Sequence, residues 1–236
     1  MTSTPEKKKL SEYKIEDLNQ FFFNLSRKIS SKIILLEITN QFFNIGLAKF
    51  QNNKIQITKV FRQELPKEAI EKSIPLDSEA FANVLLTVMK EIKLSGNRIA
   101  ISLASDTCYT RLIDIPNEIP DENSKDFLED PDSGIQIPIS LNNSDFDIHL
   151  TNLPQKLNNE KYFNRYFLTS IPKKSINTIL EIVKKANLEL CSIQISHMCT
   201  ANLLKREIDN LDLGDLLISL ELLDEFTQLV IFDNSG

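Results

Sequence analysis

Two short segments of the chain combine an acidic side chain with a tight polar turn between apolar strands. In the first segment, Glu37 ends an apolar run, and Thr39, Asn40 and Gln41 form a polar turn before the next apolar run begins. A strand that ends in an acid and then turns sharply into a second strand is one arrangement with which proteins hold a phosphate or a metal ion. These four residues are therefore the first candidates for a nucleotide-binding site, and residues 39–41 are called the first turn below.

The second segment lies near the end of the sequence and has the same rhythm. Glu221 closes an apolar strand, residues 223–226 form a short polar turn, called the second turn below, and Thr227 starts another strand. A repeat at a separation of about 180 residues is too distant for a solenoid and predicts a duplicated, two-lobed fold. Thr227 is a candidate phosphate contact, although threonine is also common on strands because of its β-propensity.

The composition is that of an ordinary globular protein. The chain has 236 residues, of which 42% are hydrophobic and 25% charged, and its net charge is -6. An acidic chain argues against nucleic-acid binding, which needs clustered lysine and arginine, and the only such cluster is Lys7 to Lys9. The apolar runs are shorter than the roughly 20 residues of a membrane-spanning helix.

Cysteine and histidine usage favours neither a disulfide framework nor a metal site. The three cysteines have no CxxC spacing and no secretory signal precedes them, which favours a reducing cytoplasm. His149 and His197, the two histidines, have no neighbouring ligand set, and each is expected to be partly buried.

The N-terminal part, residues 1–32, is predicted to be a polar tail followed by an amphipathic helix. Apolar residues recur at spacings of three and four between residues 10 and 29, as a helix requires: Ile15, Leu18, Phe22, Leu25 and Ile29. We expect this helix to pack on the body of the protein. Peripheral membrane contact through residues 7–29, favoured by the basic residues there, is the alternative.

Residues 33–105 predict the first part of a mixed α/β layer. Three strand patterns with short connections form an antiparallel meander, and the segment 65–76 reads as a loop. Asp77 is placed to cap a helix from Ser78 to Lys93, and an entirely apolar strand follows it.

The later part of the chain predicts an inserted module and a return to the first layer. Residues 106–190 alternate strand patterns with helices and form a small α+β module, with polar linkers at 116–122 and 153–162. Residues 191–214 return to the first subdomain, and residues 215–236 begin a second lobe that this sequence does not complete.

The order of these segments resembles the PilM family of type IV pilus assembly proteins, actin-like ATPases related to FtsA. The two turn segments are similar in position to the two phosphate loops of that family. The remaining similar segments, in chain order, are Leu65 to Pro66, Asp77 to Lys93, Ile101 to Pro116 with Arg111, Gln136 to Ile139 and Phe167 to Ile195.

The resemblance implies a fold and a function. The fold would be mixed α/β: a first actin-like, ribonuclease H-like lobe with an inserted α+β module, and a second lobe only begun. The function would be that of a cytoplasmic scaffold, peripheral at the inner membrane, in the pilus assembly subcomplex. PilM-like proteins bind the cytoplasmic N-terminal peptide of PilN in a groove between the first subdomain and the inserted module, so a PilN-like partner is expected.

Both phosphate loops depart from the family pattern. The family has a glycine that lets the backbone approach the phosphates and an aspartate that holds Mg²⁺ through water, whereas this chain has Thr39 and Leu223 at the glycine positions and glutamates as the acids. A left-handed turn at Thr39 would be strained. We therefore expect a pseudo-ATPase with no cofactor, and a hairpin role for Glu37 and Glu221.

Three alternatives accompany this prediction. The chain could resemble the cytoplasmic domain of GspL, a type II secretion scaffold. It could be an active actin-like ATPase that binds Mg-ATP, which intact loop glycines would have favoured. A role in competence would use the same pilus machinery.

Overall fold

The computed structural model describes most of the chain from Lys32 onward. The described residues are 32–51, 54–139, 141, 145–158, 161–212, 214–222 and 227–233. The predicted helix at 10–29 and Leu223 lie outside them.

A five-stranded mixed sheet forms the centre of the fold. Its strands are β1 (Lys32–Ile38), β2 (Phe42–Gln51), β3 (Lys54–Glu64), β6 (Arg98–Leu103) and β10 (Glu189–Ile195). Their spatial order is β10-β6-β1-β2-β3. Strand β2 is antiparallel to its neighbours β1 and β3, whereas β6 is parallel to β1 and to β10. The predicted meander is therefore confirmed, and the parallel strands reach the sheet through helical crossovers.

Two helices cover one face of this sheet. They are α1 (Ser78–Glu91) and α3 (Lys173–Lys185), and together with Ile34, Leu36 and Ile38 of β1 they form the main hydrophobic core. The start of α1 is fixed by Asp77, whose carboxylate accepts hydrogen bonds from the amides of the second and third helical residues. Those two bonds lower the pKa of Asp77, and the predicted cap is confirmed.

A small hairpin occupies the segment that was predicted to be a loop. Strands β4 (Ile70–Glu71) and β5 (Ile74–Pro75) pair antiparallel. The two residues that join them, Lys72 and Ser73, have φ angles of 47° and 58°. A two-residue hairpin turn needs such left-handed angles, which are usually adopted by glycine or asparagine. The prediction of a loop was wrong because neither residue carries that signal.

The inserted module contains a second, three-stranded sheet. Its strands are β7 (Tyr109–Pro116), β8 (Phe146–Asn158) and β9 (Lys161–Pro172), antiparallel in the order β7-β9-β8. A separate core forms on it around Ile115, Tyr166 and Leu168. A short helix, α2 (Ser124–Glu129), ends before Pro131.

Three details of the module differ from the prediction. Residues 153–162, predicted as a linker, are the paired ends of β8 and β9. Helix α3, which the predicted boundary at residue 190 placed in the module, contributes Ile179 and Ile182 to the core of the first sheet. His149 was expected to be partly buried, but its side chain is 72% exposed and lies 3.6 Å from the carboxylate of Asp147.

The end of the chain forms two short helices and a hairpin. Helices α4 (Ser196–Leu203) and α5 (Lys205–Asp209) follow β10, and β11 (Leu217–Leu222) then pairs antiparallel with β12 (Thr227–Phe232). The two predicted strands are therefore present, and residues 223–226 between them lie outside the described residues. Within the described residues, none of the helices combines the length and the apolar character needed to cross a membrane.

Candidate functional site

The first turn is closed by the side chain of Thr39. Its hydroxyl donates to the carbonyl oxygen of Phe42 at 2.9 Å and accepts from the amides of Gln41 and Phe42 at 3.4 and 3.2 Å. The amide of Thr39 also donates to the Phe42 carbonyl at 2.9 Å. The backbone amides of Gln41 and Phe42 are therefore directed at a hydroxyl of the protein itself.

The turn achieves this closure without a left-handed backbone at Thr39. The non-glycine residues with positive φ in the described part of the chain lie elsewhere: Lys72, Ser73, Lys93 and Asn187. The strain expected for a threonine at the glycine position is thus absent. Threonine replaces glycine here in a different turn, one in which a side-chain hydroxyl satisfies the backbone.

Asn40 ties the first turn to two neighbouring segments. Its side-chain oxygen accepts from the amide of Ser73 at 2.6 Å, in the β4–β5 hairpin, and its side-chain nitrogen donates to Asp106 at 3.2 Å, in the segment that follows β6. The carbonyl of Gln41 accepts from the amide of Leu65 at 2.7 Å. Asn40 and Gln41 therefore act as structural links between elements.

Glu37 is held in a polar chain that crosses the sheet. Its carboxylate accepts from the side-chain amide of Asn44 at 2.7 Å, and the side-chain oxygen of Asn44 accepts from Arg62 at 3.1 Å. The guanidinium carbon of Arg62 lies 3.7 Å from the centroid of the Phe42 ring. The cation nearest to Glu37 along this chain is thus engaged by an amide and an aromatic face.

The second hairpin repeats this arrangement. The carboxylate of Glu221 accepts from the side-chain amide of Gln228 at 3.1 Å, and the side-chain oxygen of Gln228 accepts from Ser196 at 3.2 Å. Glu221 is the direct cross-strand neighbour of Gln228, just as Glu37 is of Asn44. In both hairpins an acid at the end of the first strand is bound by an amide seven residues later.

The charge of Glu37 acts on the carboxyl group of Glu221. Burial raises the pKa of Glu221 above its ordinary value of 4.5, and the negative charge of Glu37 raises it further. Thr227 is exposed and lies at a shallow cavity of about 420 Å³ that is also lined by Arg111 and His197. The structure therefore brings together the acids of the two turn segments, with Thr227 at the edge of the same hairpin.

Polar groups of the two turn segments have hydrogen-bond partners within the protein. The amides of Gln41 and Phe42 are bound by Thr39, and the carboxylates of Glu37 and Glu221 each accept from a neighbouring side-chain amide. Among the described side chains, no group of three histidine, cysteine or acidic residues converges as a metal site would require.

The sequence prediction missed the partners of the candidate residues. These partners are Asn44, Arg62, Ser73, Asp106, Ser196 and Gln228. For two of them a signal was available, because an asparagine and a glutamine stand at the same offset of seven residues from the two glutamates. The others come from distant segments, and only the fold brings them to the site.

Comparison with known proteins gives a structural match but no sequence match. No protein-family model and no curated protein matches the sequence. Among solved structures, the chain is similar to one from the PilM-PilN type IV pilus biogenesis complex, with a TM-score of 0.66 and 14% identity over 84% of this chain. The chain has the actin-like fold of that protein. It spans 57% of that chain's length.

Two further matches are weaker. The cytoplasmic domain of EpsL, an inner-membrane component of the type II secretion system of Vibrio cholerae, gives a TM-score of 0.48 at 8% identity, over 87% of this chain and 69% of that one. A Bacteroides thetaiotaomicron protein with an actin-like ATPase fold and unknown function gives 0.47 at 12% identity, over 89% of this chain and 68% of that one. At these scores neither adds to the argument for the fold.

Substitution of Asn40 tests its structural role. Asn40→Ala is expected to lower the free energy of unfolding by about 1–3 kcal/mol, because it leaves the amide of the buried Ser73 without its acceptor. Asn40→Asp keeps the acceptor but places a second carboxylate beside Asp106, so it should also destabilise at neutral pH and less so in acid. Urea unfolding measures both; unchanged stability of Asn40→Ala would contradict the assignment.

Titration of Glu221 tests whether the two turn segments face each other. Because its pKa is raised in the folded state, folding favours the protonated form, and the protein should lose stability as the pH rises from 4.5 through the folded pKa. Glu37→Gln removes the like charge and should lower the pKa of Glu221, as measured by carbon NMR of the carboxyl group. Glu122→Gln, an exposed acid in the inserted module, is the control. An unchanged pKa in Glu37→Gln would show that the acids do not interact.

Proposed function

We propose that the chain is a PilM-like scaffold at the cytoplasmic face of the inner membrane, in the assembly machinery of type IV pili, and that it works by binding a partner without hydrolysing ATP. The observation that carries this proposal is the combination of a PilM-like fold with a first turn in which Thr39 binds the backbone amides of Gln41 and Phe42. A PilM-like fold with a closed first turn is consistent with selection for partner binding.

The proposed partner is the N-terminal peptide of a PilN-like inner-membrane protein. A groove suited to it lies where the β4–β5 hairpin meets the end of β9 and the start of α3, at the junction of the two sheets. This groove has a volume of about 160 Å³, and its lining includes Ile74, Pro75, Leu76, Pro172 and Thr178. We call it the junction groove.

The chemistry of the junction groove suits a short peptide. Ile74 and Pro75 are buried and form an apolar base, whereas Leu76 is 59% exposed and offers an apolar side chain to a ligand. Lys72 and Lys174 also line the groove and can bind carboxylate or carbonyl oxygens of a peptide. Peptide capture needs an apolar pocket and a few polar contacts, and none of it depends on phosphate chemistry.

The first turn supports one wall of the junction groove. Asn40 binds Ser73, the second residue of the β4–β5 turn, so the closed first turn positions the hairpin that forms one wall of the junction groove. In this proposal the former nucleotide loop supports the peptide site structurally.

Calorimetry on the full chain tests the proposal. Titration with N-terminal peptides of PilN-like proteins should give saturable binding, and titration with Mg-ATP should give none. Leu76→Asp should weaken peptide binding at least about tenfold, because it removes a burial worth roughly 1.5–3 kcal/mol.

Leu203→Asp is the matched control, because Leu203 is 80% exposed and does not line the junction groove. It should leave peptide affinity unchanged. Binding of Mg-ATP without peptide binding would overturn the proposal, and an equal loss in both variants would place the peptide elsewhere.

A further inference from the structure

Within the described part of the chain, the face of the five-stranded sheet opposite α1 and α3 is apolar and open. Side chains alternate along β1, so Ile33 and Leu35 point to this face while Ile34 and Leu36 enter the core. The strands place small residues across the middle of the face: Gly46, Ala48, Ala100, Ser102 and Ser192. We call this face the trough.

The register of the strands explains the shape of the trough. Leu35 is paired with Gly46 on one side and with Ala100 on the other, and Ala100 is paired with Ser192. The small side chains therefore leave a depression along the centre of the face. A side chain at Gly46 would itself be crowded, since its Cβ would lie 3.0 Å from the Lys59 carbonyl oxygen. A depression of this kind allows a helix backbone to approach the sheet closely.

Large apolar side chains of β3 form one wall of the trough. Ile55, Ile57 and Val60 are 64%, 57% and 71% exposed. An irregularity in the pairing with β2 makes Thr58 an extra residue, which keeps Val60 on the same side as Ile57. Three exposed branched residues on one side of a strand are unusual in a surface that faces water.

Helix α4 forms the opposite wall, so that the trough has a definite width. Cys199 of α4 lies against Ser102 of β6, with 3.9 Å between their sulfur and oxygen atoms. Between β6 and β3 there are three strand spacings, or about 14 Å, which matches the roughly 10 Å diameter of a helix with its side chains. The volume enclosed is about 610 Å³.

We infer that residues 10–29 of the same chain form a helix that occupies the trough. These residues lie outside the described part of the chain, and their apolar positions recur on one helical face: Ile15, Leu18, Phe22, Leu25 and Ile29. The segment ends two residues before β1, the strand whose Ile33 and Leu35 line the trough. It is therefore tethered beside the surface that it would cover, at a high effective concentration.

The dimensions of the segment agree with the trough. A helix of this length spans about 30 Å, and the seven residues of β1 span about 23 Å. Ser30 and Ser31 form a connection within the usual range of two to six residues between a helix and the strand that follows it. The helix would run antiparallel to β1 and cover the trough over the length of the strand.

The charges also agree with this orientation. An antiparallel helix directs its N-terminal end toward the last residues of β1, where Glu37 lines the trough and contributes a negative charge. Negative charge near a helix N-terminus is favourable. Arg27 falls on the polar side of the helix, away from the sheet, and Lys28 falls at its flank. The same segment can thus cover an apolar surface while its basic residues stay in contact with water.

A photo-crosslinking experiment on the full chain tests the inference. Benzoylphenylalanine placed at Phe22, on the apolar side, should crosslink to residues 33–60 or to α4 of the same chain. The matched control places it at Asn24, on the opposite side of the helix, where few such crosslinks are expected. The aromatic replacement at Phe22 is conservative, so folding is not at risk.

Mixing light and isotopically heavy protein separates the possible occupants. Crosslinks within single chains to the trough support the inference. Crosslinks mainly between light and heavy chains would show that a second copy fills the trough. Crosslinks from Phe22 to the inserted module, to lipid when anionic vesicles are present, or to no part of the trough would overturn the inference.

Labelling of Cys199 with a maleimide gives an independent readout. Leu18→Asp with Phe22→Asp should raise the labelling rate of Cys199 at least about fivefold, because a helix that no longer packs leaves the trough open. Gln20→Asp with Asn24→Asp adds the same charge on the opposite side and should not change the rate. Cys191, which does not line the trough, serves as the internal reference. Equal Cys199 rates in both double variants would contradict the inference.

Discussion

The arrangement of the elements around the first turn depends on the hydrogen bonds of the Thr39 hydroxyl. By bonding to both polar groups of the Phe42 backbone, it closes the turn between β1 and β2 and fixes the register of the first hairpin. Asn40 then extends from the closed turn to Ser73 and to Asp106, so the position of the β4–β5 hairpin follows from the shape of the turn. A glycine at position 39 could leave the backbone donors free for a ligand, but it could not make these bonds.

A second constraint is the opposition of two carboxylates. Glu37 and Glu221 end equivalent strands in two similar hairpins, and the charge of one raises the pKa of the other. Each is kept in place by a neighbouring amide, from Asn44 in one hairpin and Gln228 in the other. In each hairpin the amide therefore satisfies one oxygen of the neighbouring carboxylate.

Local signals in the sequence predicted the parts of the fold that depend on nearest neighbours. The meander followed from short polar connections, and the start of α1 followed from Asp77, whose carboxylate reaches amides only two and three residues away. The acids and the first turn were also identified from the sequence, since a polar break between apolar strands is a local feature. The prediction of a PilM-like fold came from the order of many such segments, and the structural match agrees with it.

Features that depend on distant contacts were missed. The β4–β5 turn uses left-handed angles at Lys72 and Ser73, which their residue types do not indicate. The ends of β8 and β9 look polar because this part of the hairpin extends past the core, and the pairing is irregular between Leu153 and Lys156. An amphipathic helix such as α3 carries an apolar face but no signal that says which sheet will cover it. Likewise, the role of Thr39 as an acceptor for its own turn could not be read from the absence of glycine.

Whether the closed first turn excludes phosphate can be measured by NMR of its backbone amides while the full chain is titrated with Mg-ATP. We expect the amide resonances of Gln41 and Phe42 to keep their chemical shifts throughout the titration, because Thr39 already binds both groups. Saturable changes in these two chemical shifts would show that the turn opens to a nucleotide and that Thr39 does not close it.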